Sequence, residues 1–253
     1  MKIWRYMDFA KFISLISKEA LYFANPNQFN DPYEFYLPKS HNLAKEEKIY
    51  KPEIEKMNNL KKQIILNKPG IEKTDLFKIF EQKIIDLPKQ FKNAEKEVKN
   101  RFGISCWHIN DYENEALWKI YTNQGQGIAI ETTSEKLEES LTYHRRITLD
   151  KVRYEDFDTA QIEKGHKHYS GFIKRKAFEY EKEYRASLLL DEKDYGKGCF
   201  VKADLDILIE KIHVSPLIPE YFLESIKYLC KGELSFLEDR IVQSNLYNEY
   251  NNN

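Results

Sequence analysis

The spacing of apolar and polar positions changes several times along this chain, and each change marks an element. Ile3–Met7 is a short apolar and aromatic run that reads as a strand. Asp8 stands where a helix cap belongs, and Phe12, Ile13 and Ile16 then recur on one face of a helix over Phe9–Lys18. Leu21–Ala24 reads as a second strand, and Asn25-Pro26-Asn27-Gln28-Phe29-Asn30-Asp31-Pro32 is a dense turn segment. Further strands are expected at Gly103–Ile109, Gly127–Thr132, Ile147–Tyr154, Tyr184–Leu190, Cys199–Ala203, Lys211–Val214 and Arg240–Gln243. Helices are expected over Glu113–Tyr121, over Glu135–Leu141 with Ser134 as its cap, through a basic stretch at 158–178, and over Ile218–Lys231. Strands often follow one another directly, which predicts an α+β fold: a mixed, mostly antiparallel sheet with flanking helices.

From His41 to Asn100 the pattern becomes helical throughout, with 14 lysines against 10 acidic side chains. This segment reads as a helical insertion of two or three amphipathic helices within one domain spanning 1–253, its charges forming a solvated face.

Composition narrows the function classes. The chain has 35 aromatic residues (3 Trp, 17 Tyr and 15 Phe), which excludes a disordered chain and predicts a real core or a site that stacks planar ligands. A net charge of −1 argues against a strong non-specific nucleic-acid binder. Nine glycines leave little room for glycine-rich nucleotide loops. Three scattered cysteines suggest neither a disulfide framework nor a CxxC metal site. The opening MKIWRYMDFAKF carries charge too early for a signal peptide, and no run approaches the length of a membrane span. A cytoplasmic protein with no membrane association is expected.

Several familiar motifs are missing. Gly125-Gln-Gly127 precedes a strand rather than a helix, so it is no Rossmann turn. His166-Lys-His168 is a lone pair of histidines in a basic segment, and no metal site is expected. Cys106 sits on an apolar strand, where a thiol is more often packed and inert than nucleophilic.

Four segments carry candidate chemistry. Arg5, between Trp4 and Tyr6 on the opening strand, needs an anion: a carboxylate such as Glu34 or Glu183, or a bound phosphate or carboxylate. Asn30 and Asp31, within Phe29-Asn30-Asp31-Pro32-Tyr33-Glu34, form either a structured corner or a pocket edge. Trp118 and Tyr121 are three apart on one helix face and serve as core or as a stacking wall, with Gly127 allowing close backbone approach. Glu181 and Glu183 project to one side if their segment is extended. They form a charged strand edge paired with Lys176 and Arg185, or else an acid/base or ribose-binding pair.

Taken together, these segments resemble the domain of unknown function 2971 family. The matching pieces are Arg5-Tyr6, the NDPxE of Asn30–Glu34, the Ser105-Cys106 strand, the Trp118…Tyr121…Gly127 spacing, and Tyr180-Glu181-Lys182-Glu183-Tyr184-Arg185, with tyrosine where the family favours tryptophan. Ile212–Pro216 and Gln243-Ser244 also fit, and Leu117 stands where the family often has methionine. The order Arg5, Ser105, Glu181-x-Glu183 is also similar to the ADP-ribosyltransferase superfamily. That likeness implies an NAD-using transferase or NAD glycohydrolase, with a toxin or phage-defence effector as the implied role. It would have Arg5 on the diphosphate or ribose, Ser105 orienting the nicotinamide ribose, and Trp118 or Tyr121 stacked on nicotinamide. Glu183 would hold the ribose 2′-hydroxyl, and no metal would be needed. Three alternatives remain open: a nucleotide or RNA binder using the basic, aromatic-interleaved stretch 164–176, a hydrolase with Asp31, Glu34, Glu181 and Glu183 around a divalent metal, and a regulatory domain without catalysis. The oligomeric state stays open.

Overall fold

The computed structural model describes residues 1–122, 127–141, 147–161 and 170–247, apart from the side chains of 42, 92, 95, 96 and 233. Strand β1 (Lys2–Asp8) leads into helix α1 (Phe9–Lys18), where the Asp8 carboxylate accepts from the Lys11 amide as the sequence implies. Strand β2 (Ala20–Ala24) is followed by a 3₁₀ turn, Pro26–Gln28, capped by the Asn25 side chain. The helical segment comprises α2 (Lys39–Lys45), a π-helical turn, α3 (Lys51–Asn67) and α4 (Asp75–Asn100). After it come β3 (Phe102–Ile109), α5 (Glu115–Tyr121), β4 (Gly127–Thr133) and α6 (Ser134–Ser140). Thr133, rather than Ser134, caps α6, because its hydroxyl accepts from the Lys136 amide.

The expected strand at 147–154 is two strands, β5 (Ile147–Lys151) and β6 (Arg153–Glu155). The expected helix at 158–178 is not seen among the described residues: Ile173–Arg175 is strand β7, flanked by 3₁₀ turns. Two surroundings override its local helical pattern. The β7 backbone pairs with β6 in parallel, and Lys174 is drawn inward by carboxylates. The remaining elements are β8 (Glu183–Leu189), β9 (Gly198–Lys202), α7 (Leu205–Leu208), β10 (Lys211–Val214), α8 (Glu220–Leu229) and β11 (Ile241–Gln243).

Among the described residues nine strands make one mixed sheet, ordered β11-β10-β4-β1-β3-β2-β9, with β8 between β3 and β5. Only the β10–β11 pair within it is parallel, so the expected α+β class holds. β1 faces two cores because its side chains alternate. Ile3 and Met7 join the larger cluster with Phe12 and Ile16 of α1, while Trp4 and Tyr6 pack with Leu117 and Trp118 of α5.

One irregularity in this sheet positions the site. β8 occupies one edge of β3 from Phe102 to His108. On the other edge, β1 pairs only at His108 and Ile109, and β2 only at Ile104. Residues 105–107 therefore have no ladder partner on that side, and the sheet splits between β1 and β2.

Candidate functional site

The split is the mouth of a cleft of about 970 Å³. β1 contributes Arg5 and Tyr6 to its lining, β2 contributes Tyr22, β3 contributes Cys106 and His108, and Glu34, Lys174, Glu181 and Glu183 line it as well. Asn30 and Asp31 lie at its edge, and Tyr121, Phe178 and Tyr180 supply aromatic surface. Of the nine sequence-selected site residues, Arg5, Tyr6, Asn30, Asp31, Tyr121, Glu181 and Glu183 line this one cleft.

Arg5 fills the gap left by the missing ladder. Its Nη1 donates to Ser105 Oγ, its Nη2 donates to the Tyr22 carbonyl at 3.3 Å, and its guanidinium lies 5.6 Å from the Trp107 ring. Neither Glu34 nor Glu183 reaches it, and no carboxylate pairs with it among the described residues. Burial without a counter-ion pulls its pKa down to about 10. Ser105 is fully buried, also accepts from Trp107 Nε1 at 3.2 Å, and meets the cleft only through Arg5. Tyr6 accepts the Asn114 amide at 2.7 Å, which ties β1 to the start of α5.

The cleft also borders a buried ion cluster. Arg185 is 0 % exposed; its Nε donates to Glu183 Oε2 at 2.6 Å and its Nη1 to Glu34 Oε1 at 2.5 Å. Lys174 donates to Glu181 at 2.5 Å and to Glu183 at 2.7 Å. Arg185 is one of the two cations proposed for the glutamates. The other, Lys176, pairs with Glu179 instead, and Lys174 takes its place. The Glu181–Glu183 geometry comes from a kink, not from strand alternation. Lys182 adopts left-handed backbone at φ 42°, so Glu181 ends a 3₁₀ turn while Glu183 opens β8, and both carboxylates reach Lys174.

This packing splits the two carboxyls. Burial alone would raise both. For Glu183, Arg185 and Lys174 outweigh burial and hold the carboxyl well below the usual range. For Glu181, burial and its hydrogen bond and charge contact with Glu183 win, and its pKa is pushed up to about 8. Glu181 therefore holds a proton near neutrality while Glu183 stays ionised. Burial and the nearby Glu183 also raise the Cys106 thiol well above its ordinary value, so this cysteine is not an activated nucleophile.

Several buried acceptors have no donor. Asp31 uses Oδ1 for Arg175 and for the Tyr33 amide, and its Oδ2 is unpartnered. Glu34 Oε2, which has Lys174 3.9 Å away, and His108 Nε2 likewise have no hydrogen-bond partner among the described residues. All three residues line the cleft.

Residues 117–186 match the model of a family described as protein of unknown function (DUF2971). The resemblance expected from the motifs holds over this stretch. The DUF2971 segment runs from α5 into β8 and carries Tyr121, Lys174, Glu181, Glu183 and Arg185, whereas Arg5, Asp31 and Glu34 lie before it. No curated protein and no solved structure matches the chain.

Within the DUF2971 segment, Trp118 is turned away from the cleft. It is 4 % exposed, packs edge-on to Tyr6 at 5.1 Å and donates to Glu113, so it belongs to the core, while Tyr121 keeps the place at the cleft. At Gly127 the close neighbour is Thr122, whose side chain a Cβ would meet at 2.0 Å, so the glycine serves α5–β4 packing. Gly125, His166, His168 and the first part of the basic stretch, 164–169, lie outside the described residues. In its remainder Lys174, Arg175 and Lys176 are each paired with a carboxylate. Among the described residues no group of three His, Cys, Asp or Glu side chains is placed to hold a metal ion, and no helix is long and apolar enough to cross a membrane.

Sequence reasoning missed the roles of Lys174 and His108. Lys174 sat in a segment read as a solvated helix, and only the non-local β6–β7 pairing buries it. His108 looked like one more residue of an apolar strand. Its available signal was alternation: Cys106 and His108 share a face with Arg185 and Glu183, their partners on β8.

Proposed function

We propose that the cleft binds NAD and that this chain is an NAD-consuming enzyme, transferring ADP-ribose to an acceptor or to water. One observation carries the reading: a half-buried arginine that no carboxylate pairs among the described residues, and a glutamate pair of split pKa, line a single cleft at the break in the sheet. Arg5 supplies a guanidinium fork for the diphosphate. Tyr121, Phe178 and Tyr180 supply ring surface for the heterocycles. The glutamates take the ribose.

Their roles differ, because Glu183 is saturated by Arg185 and Lys174 whereas Glu181 is held by Lys174 alone among the cations. Glu183 fixes the cations, and Glu181, once ionised, gives the cluster a net negative charge opposite the ribosyl cation that develops as nicotinamide leaves. The likeness to ADP-ribosyltransferases rests on the order Arg5, Ser105, Glu181-x-Glu183 along the sequence. The test is nicotinamide release from NAD by the full chain. Wild type is expected to release it, with Glu181→Gln slowed about 10²–10³-fold, the usual cost of removing one electrostatic stabiliser. No release by wild type, or equal release by the variant, contradicts the proposal.

A further inference from the structure

His108 is 5 % exposed, lines the cleft, and is used by nothing above. Its Nδ1 lies 2.6 Å from the backbone carbonyl of Glu181. A carbonyl can only accept, so Nδ1 must carry the proton of the neutral ring. The lone pair is then on Nε2, which is buried with no hydrogen-bond partner among the described residues. A buried acceptor left unmet in a ligand cleft is one that a ligand can satisfy. Burial also lowers the ring's pKa, despite the opposing hydrogen bond to the Glu181 carbonyl; of the charged groups facing it, Lys182 lowers it further and Glu183 raises it. The ring therefore stays neutral in the range where Glu181 titrates.

We infer that His108 is the general base of this cleft, its tautomer fixed by the Glu181 carbonyl and its Nε2 aimed at the attacking nucleophile. The inference rests on the NAD reading. In the step it serves, the oxygen of water or of an acceptor hydroxyl bonds to ribose C1′ as the C1′–N bond to nicotinamide breaks. The electron pair of that bond returns to the pyridinium ring, which leaves as neutral nicotinamide. The proton of the nucleophile passes to His108 Nε2, and the imidazolium then gives it to solvent. Glu181 and His108 are coupled by one backbone carbonyl, so the residue that stabilises the cation also aligns the base.

His108→Asn is the discriminating variant: its amide nitrogen can replace Nδ1 on the Glu181 carbonyl while the Nε2 lone pair is deleted. kcat and KM for nicotinamide release by the full chain, with ADP-ribose binding as a check on folding, give the readout. Expected is a fall in kcat of about 10²–10⁴-fold at unchanged KM and unchanged ADP-ribose affinity. If wild type is active and His108→Asn matches it, the role of His108 is overturned and the NAD reading stands. If wild type releases no nicotinamide, the NAD reading fails and this role goes with it. Should the variant not fold, ¹⁵N-histidine NMR of wild type decides: a pyridine-type Nε2 that shifts on adding ADP-ribose supports the base, and a protonated Nε2 overturns it.

Discussion

Arg5 and Arg185 bring the same guanidinium into the same molecule, and their surroundings make them opposites. Arg185 is neutralised by Glu34 and Glu183, which outweigh the cost of its burial. Replacing it with methionine strands two buried carboxylates, and a loss of about 3–5 kcal/mol is expected in denaturant unfolding. Arg5 has a hydroxyl, a carbonyl and an indole face but no carboxylate among the described residues. Arg5→Met should therefore unfold within about 1 kcal/mol of wild type, because removing an uncompensated buried charge offsets the lost hydrogen bonds. The same contrast separates Trp118 from Tyr121. Trp118→Ala should cost about 3–5 kcal/mol of stability, while Tyr121→Ala, at a side chain 43 % exposed, should leave the melting curve nearly unchanged and weaken ligand binding. The sequence posed the question of Arg5's partner correctly but could not answer it, because Glu183 lies beside Arg185 on β8 and the fold brings Glu34 to the same guanidinium from far along the chain.

At the scale of elements, local signals were legible and pairings were not. Asp8 announced α1, and alternation announced most strands, because both depend on neighbours in sequence. The break in the β1–β3 ladder, which makes the cleft, and the inward turn of Lys174 depend on strands far apart along the chain. Lys182 is the local device that sequence pattern concealed, since a lysine gives no sign of a left-handed backbone. Lys182→Gly should be tolerated, because glycine adopts positive φ freely. Lys182→Val should cost about 1–3 kcal/mol, as expected for a β-branched side chain forced to that conformation. It should also part the glutamates, which titration of Glu181 by NMR would detect as a fall in its pKa toward the ordinary value near 4.5.

For the whole molecule, the NAD proposal has Glu181 set stability and activity against each other. Its folded pKa of about 8 lies above the ordinary value of 4.5, so the folded state binds its proton more tightly than the unfolded chain does. That contribution to stability is complete below pH 4.5 and is lost as pH rises through about 8, and thermal unfolding followed across this window should show the decline. On the NAD proposal, nicotinamide release should rise over the same window, since the ionised carboxylate would stabilise the ribosyl cation. A cleft at a break in the sheet, lined by a cation that no carboxylate pairs among the described residues and by a strained, proton-holding pair, is a poor arrangement for stability and a suitable one for binding. The central claim is that Arg5 is kept there for an anionic nucleotide. Calorimetric titration of ADP-ribose into wild type and Arg5→Met tests it most directly. Saturable binding by wild type, weakened at least about tenfold in an equally stable Arg5→Met, is the predicted result, corresponding to a lost charge-assisted contact of about 1.4 kcal/mol or more. Equal affinity of the two proteins, or no binding by wild type, would contradict it.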